Sequence, residues 1–197
     1  MCPLNRGNST ESKKAYILLP GIEGIDETDL QFMEYAKYVD NALASKGFIK
    51  AKDKDSADVA IFLIYGIGNP PPKYSMSATG QSGVSSSKTR GKSGVGIFGN
   101  EHSETTTYTM TYFKYLILDA VEPYKQAQKT NQIWQTTATN TGTSSDLRGM
   151  FPILVVAAEK YLGLNTGKKV YTTVTEKNER LIEIKSIIID AQKQKSK

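Results

Sequence analysis

Residues Val59 to Tyr65 read Val-Ala-Ile-Phe-Leu-Ile-Tyr, an unbroken apolar run of seven. A strand with one wet face would alternate apolar and polar residues. A continuous run instead belongs at the centre of a sheet, covered on at least one face. The chain must therefore supply helices to cover it, and two segments have the required spacing. In the first, Asp26 to Lys46, the residues Phe32, Tyr35, Val39, Ala42 and Leu43 form one apolar face. Asp26 or Thr28 can cap its start, and Gly47 stops it. The second starts at Ser144-Ser145-Asp146 and ends near Leu162-Gly163. Its sheet-facing set reads as Ile153, Val156, Ala157, Lys160 and Tyr161, and Pro152 suggests that Leu147 to Phe151 is a separate turn.

The other strands follow from shorter signals. Tyr16 to Leu19 is a short strand closed by Pro20-Gly21, and Phe48-Ile49 opens another before a charged turn at Lys52 to Ser56. From Thr105 to Val121 the chain predicts one long strand: Tyr108, Met110 and Tyr112 alternate with Thr107, Thr109 and Thr111, and Tyr115 to Leu118 is fully apolar. Gln132 to Thr141 pairs with it as a hairpin. Val170 to Thr175 and Leu181 to Ile189 suggest a closing hairpin, with a helix from Glu179 as the competing reading. Between the central strand and the long strand lie residues 66 to 104, rich in Gly, Ser, Pro and Lys. That composition predicts a long flexible excursion, and excursions of such length are disordered or functional. The organisation is then a polar tether at residues 1 to 14, one domain over 15 to 167 interrupted at 66 to 104, and a C-terminal hairpin or helix with a basic tail over 168 to 197. One domain of ordinary size suits 197 residues.

Composition narrows the functional classes. The net charge is +5 and the pI near 9.1, but the lysines are scattered and do not interleave with aromatics, which argues against nucleic-acid binding. No apolar run reaches the length of a membrane span, and no charged start with an apolar signal core is present. The single histidine, His102, has Glu101 and Glu104 beside it, too few ligands for a metal site. Gly91-Lys92-Ser93 matches the end of a phosphate-binding loop, but Ser86 stands where the first glycine belongs and no apolar strand precedes it. No nucleophile elbow occurs on a strand-to-helix turn. The sequence thus assigns no catalytic residue, metal ligand or cofactor, and predicts a protein that is not an enzyme. Of its 11 tyrosines, Tyr65, Tyr74, Tyr108 and Tyr112 flank or enter the excursion. Tyrosine gives rigid amphipathic contact area, so these four are the candidate partner-binding residues.

Cys2 is the only cysteine, and the polar stretch Pro3 to Lys14 separates it from the first apolar run. It has no internal disulfide partner and stands where a bacterial lipoprotein carries its lipid, with Met1 then an added start. Three segments together resemble the DUF4136 family of bacterial lipoproteins. They are Ala44-Ser45-Lys46-Gly47-Phe48, Ser56-Ala57-Asp58-Val59-Ala60-Ile61, and Leu116-Ile117-Leu118-Asp119-Ala120 followed by Ile133-Trp134-Gln135-Thr136-Thr137-Ala138. The resemblance covers roughly residues 15 to 163. It implies an α/β (α+β) domain with a mixed sheet of about four to six strands and two helices on one face. It also implies a fold like the N-terminal domain of the translocation protein TolB and the lipoprotein activators of cell-wall synthases. The expected setting is the periplasmic face of the outer membrane, reached through a lipid on Cys2, because Pro3 is not the Asp that would favour inner-membrane retention. The expected function is an interaction or scaffold module with a protein partner in the envelope. Alternatives are a small-ligand or cell-wall-polymer binding domain using the tyrosine-rich base of the excursion, and a hydrolase. If Met1 is the true start, the address is cytoplasmic.

Overall fold

The computed structural model describes residues 14–68, 84–87, 107–122, 131–164 and 166–195. Seven strands and three helices follow one another among them: β1 (Ala15–Pro20), α1 (Leu30–Ser45), β2 (Ile49–Lys50), β3 (Val59–Ile67), β4 (Val84–Ser87), β5 (Thr107–Met110), β6 (Tyr112–Val121), β7 (Gln132–Gly142), α2 (Leu147–Glu159) and α3 (Glu179–Lys195). Five strands make one mixed sheet in the order β2-β1-β3-β6-β7, and β4 pairs with β5 separately. β1 lies parallel to β2 and β3, whereas β6 lies antiparallel to both of its neighbours, β3 and β7. The apolar run is central, as its composition requires.

Alternation sorts the sheet into two faces. Tyr16 and Leu18 of β1, Val59, Ile61, Leu63 and Tyr65 of β3, and Leu116, Leu118 and Ala120 of β6 join one buried cluster. Both α1 and α2 pack on that face, through Phe32, Tyr35, Val39 and Leu43 and through Phe151, Leu154, Val155 and Ala158. The opposite face carries a smaller cluster of Ile64, Phe113, Tyr115 and Ile117. β6 is thus buried on both sides, which explains its apolar second half. Gly66 is a glycine because the Tyr115 ring lies over it; a Cβ there would sit 2.6 Å from the Tyr115 hydroxyl.

Several boundaries differ from those read in the sequence. α1 is capped by Asp29, whose carboxylate accepts from the Phe32 N–H at 2.8 Å. Asp26 instead closes a turn by accepting from the Thr28 N–H at 2.8 Å, so neither Asp26 nor Thr28 is the cap. The expected apolar face of α1 is correct, and Gly47 ends the helix with φ +83°. α2 runs unbroken through Pro152, capped by Asp146, which accepts from the Gly149 N–H at 2.9 Å. Its buried face is Phe151, Pro152, Leu154, Val155 and Ala158; of the expected set Val156 packs partly on the same cluster, and Lys160 and Tyr161 lie past the end of the helix. The expected long strand breaks at Thr111: Thr107–Met110 turns to pair with Val84–Ser87 inside the segment expected to lack structure. β3 likewise reaches Ile67, past the expected boundary.

Of the two readings of the C-terminal segment, the helix from Glu179 is the one that forms. Val170 to Thr175 is irregular and largely exposed. Asn178 then accepts from the Leu181 N–H at 3.1 Å, the geometry of a helix N-cap. Leu181 and Ile184, three residues apart, are fully buried, and Ile187 packs partly on the same cluster. That spacing is helical, and it puts a third helix against α1 and α2.

Candidate functional site

Of the four tyrosines expected to form a contact surface, Tyr65 and Tyr112 are the two whose side chains are among those described, and Tyr65 is not an outward contact. Tyr65 is buried, its ring edge-on to Tyr35 at 4.7 Å and to Phe151 at 5.9 Å. Tyr35 in turn stacks flat on Phe151 at 3.8 Å between centroids. The Tyr65 hydroxyl has no hydrogen-bond partner. Tyr112 is half-buried opposite Gly142, at the same end of the sheet as Tyr65. Tyr108 stands opposite Ser86 in the β4–β5 pair, apart from the main sheet. Tyr74, His102 and Cys2 lie outside the described residues.

The end of the sheet where Tyr65 lies holds a second polar group that the sequence reading passed over. Lys114 is fully buried, and its Nζ has no hydrogen-bond partner. It sits between Ile67 of β3 and Asn140 of β7, on the helix-facing side that Leu116 and Leu118 continue. Burial pushes its ammonium pKa down, and the Asp146 carboxylate offsets this in part. The one legible signal was the charge itself, a lysine between Phe113 and Tyr115 in a strand otherwise destined for the core. Nearby, Arg148 of α2 grips Glu34 of α1 with two hydrogen bonds of 2.8 and 2.7 Å and ties the two helix starts together.

A different feature runs along one edge. The sheet ends at β2, two residues long, and at β7, eleven residues long. β7 reads Gln-Ile-Trp-Gln-Thr-Thr-Ala-Thr-Asn-Thr-Gly, without a charge or a proline. Thr136 and Ala138 face the helices, while Thr137, Thr139 and Thr141 are exposed. Among the described residues its backbone hydrogen bonds are those of its ladder with β6. The outward half of its N–H and C=O groups is thus available, and β7 carries none of the charges or prolines that blunt edge strands.

The buried phenols give a direct check on this packing. Burial pushes Tyr65 up to about 12 and raises Tyr16, Tyr35, Tyr38 and Tyr115 as well. The fold favours the neutral phenol, so this stabilisation is full below pH 10 and is lost as pH climbs through 10 toward and beyond 12. A spectrophotometric titration should show a group of tyrosines that ionise only as the protein unfolds in alkali. Complete reversible ionisation near pH 10 would contradict the packing.

Among the described residues no helix is long and apolar enough to cross a membrane, and no three acidic, histidine or cysteine side chains converge as metal ligands. No family model matches this chain, and no curated protein matches it. A solved structure similar to it is a PDZ domain protein from Parabacteroides distasonis, 12% identical, with a TM-score of 0.41. The match covers 82% of this chain and 33% of that one, so this chain spans about a third of that protein's length.

Proposed function

We propose that this chain is a non-enzymatic interaction module of the bacterial cell envelope, tethered by a lipid on Cys2, that recruits a protein partner along β7. The single observation behind the recruiting role is the edge itself: eleven uncharged residues whose outward backbone has no partner among the described residues. Main-chain groups in that array recognise one thing well, another extended strand. The exposed threonines add cross-strand contacts without imposing a charge on the partner. The matching occupant is a partner segment of β-branched and small polar residues. The resemblance to DUF4136 lipoproteins supports the envelope setting, and the lone cysteine ahead of a polar stretch supports the tether.

Two substitutions test the two halves separately. Cys2→Ser should move the protein from the membrane to the soluble fraction; retention after a salt and carbonate wash would rule the tether out. Thr137→Lys with Thr139→Lys puts charges on the exposed side of β7, beside Ile117 and Tyr115 of the smaller cluster and on the face away from the helices. Site-specific crosslinking from Thr141 in cells should trap a partner in the parent protein and lose it in the double variant. If the crosslinked species persists unchanged, β7 is not the docking edge.

A further inference from the structure

Lys114 is unexplained by the packing around it. A buried ammonium with no hydrogen bond or ion pair is strongly unfavourable, and a methionine of similar shape would serve the core better. Its neighbours say what it serves. On the helix-facing side of the sheet one rung reads Ile67, Lys114, Asn140, and the next reads Tyr65, Leu116, Ala138. Tyr65 and Lys114 are therefore diagonal neighbours on one face, a separation that long side chains span. Both end in a buried polar atom without a partner. Asn140, directly across from Lys114, is half-buried, and among the described residues its side-chain amide enters no hydrogen bond. On the next rung Gly142 presents no side chain opposite Tyr112: a Cβ built on it would meet nothing nearer than the Asn140 Oδ1 at 3.8 Å.

The charges around this spot are few and already engaged. Asp146 accepts from the Gly149 N–H at 2.9 Å and Asp29 from the Phe32 N–H at 2.8 Å, each capping its helix. Neither forms an ion pair with Lys114. Burial outweighs Asp146 in its effect on the ammonium, so the positive charge is under-compensated.

We propose that Tyr65, Lys114 and Asn140 form a binding site for a small carboxylate at this end of the sheet. Three side chains that can donate hydrogen bonds stand at neighbouring positions of one sheet face, and a carboxylate has two oxygens to receive them. Its single negative charge matches the single ammonium. A phosphate would bring a second charge into a space bordered by Asp29 and Asp146, which disfavours it. This site uses the Asn140 side chain of β7 but not the outward backbone of that strand, so the two proposals are tested separately.

The test compares acetate and butyrate with inorganic phosphate and chloride at matched ionic strength. Thermal unfolding and calorimetry are run on the full chain, on Lys114→Met and on Tyr65→Phe. The parent protein should melt at rising temperature as carboxylate is added, because the ligand binds only the folded state. Affinity should fall about tenfold or more in Lys114→Met and less in Tyr65→Phe, and phosphate should give no comparable shift. Without ligand, Lys114→Met should melt at or above the parent. An equal carboxylate response in Lys114→Met, an equal phosphate response, or no response in the parent overturns the proposal. Should Lys114→Met fail to fold, the Lys114 Cε resonance of the parent decides: it moves on titration with acetate if the site exists and stays put if it does not.

Discussion

Replacing Phe151 with alanine is expected to lower the folding free energy by about 3–5 kcal/mol. Phe151 is fully buried in the fifth position of α2 and meets three other rings. It stacks on Tyr35 at 3.8 Å, meets Tyr65 edge-on at 5.9 Å and tilts against Tyr38 at 6.2 Å. Tyr35 and Tyr38 belong to α1, Tyr65 to β3 and Phe151 to α2, so one ring closes the contact among both helices and the central strand. Truncation removes the transfer free energy of the ring and leaves a cavity that the three packed elements α1, α2 and β3 cannot collapse into. Urea unfolding followed by circular dichroism should show the midpoint falling with the slope unchanged. Phe151→Leu should cost about 1–1.5 kcal/mol, because it keeps most of the volume. A loss below about 1 kcal/mol for the alanine variant would mean that the ring is not central to the core.

The sequence makes the centre of this fold readable and its margins less so, for physical reasons. Val59 to Tyr65 has only one environment available to it, and Phe32, Tyr35, Val39 and Leu43 have the single period of a helix face, so both were legible. The start of α1 was not, because Asp26, Thr28 and Asp29 are all competent caps and only the packing of Phe32 selects among them. In α2 the cap at Asp146 was legible, but Pro152 suggested a separate turn at Leu147 to Phe151 and so hid Phe151, Leu154 and Val155 as the buried face. The C-terminal segment was left between two readings: Ile187, Ile188 and Ile189 are strand formers by propensity, yet the alternative helix from Glu179 forms, because Leu181 and Ile184 are buried where α3 packs on α1 and α2. The candidate site was half visible. Tyr65 was singled out as an outward contact, whereas strand alternation turns it inward. Lys114 was missed because a charge inside a strand normally means an exposed position, and nothing local says that both faces of β6 are covered.

The same packing makes Arg180 the residue that fastens the C-terminal helix. Its Nε lies 2.8 Å from Glu159 Oε2 and 3.1 Å from Oε1, its Nη2 donates to Asn41 Oδ1 at 2.6 Å, and its Nη1 is 2.9 Å from Glu183. One guanidinium thus joins α3 to the ends of α1 and α2. The Glu159 side chain is only 12% exposed, so removing its partner strands a carboxylate that water can barely reach. Ser45, which also donates to Glu159, answers only part of that charge. Arg180→Leu should therefore weaken the docking of α3 by about 2–3 kcal/mol, the lower part of the range for a broken buried pair because the guanidinium is partly solvated. Leu181 and Ile184 still hold the helix in place, so the effect is more frequent opening rather than permanent release. Residues 166–178 leading into α3 form no helix or strand, so opening need not involve the sheet. Amide exchange in α3 should accelerate roughly thirty- to a hundred-and-fifty-fold while β3 and β6 keep their protection. Adding Glu159→Leu removes the stranded charge and should restore most of the protection. If exchange in α3 does not change in Arg180→Leu, the ion cluster is incidental and the apolar contacts alone hold the helix.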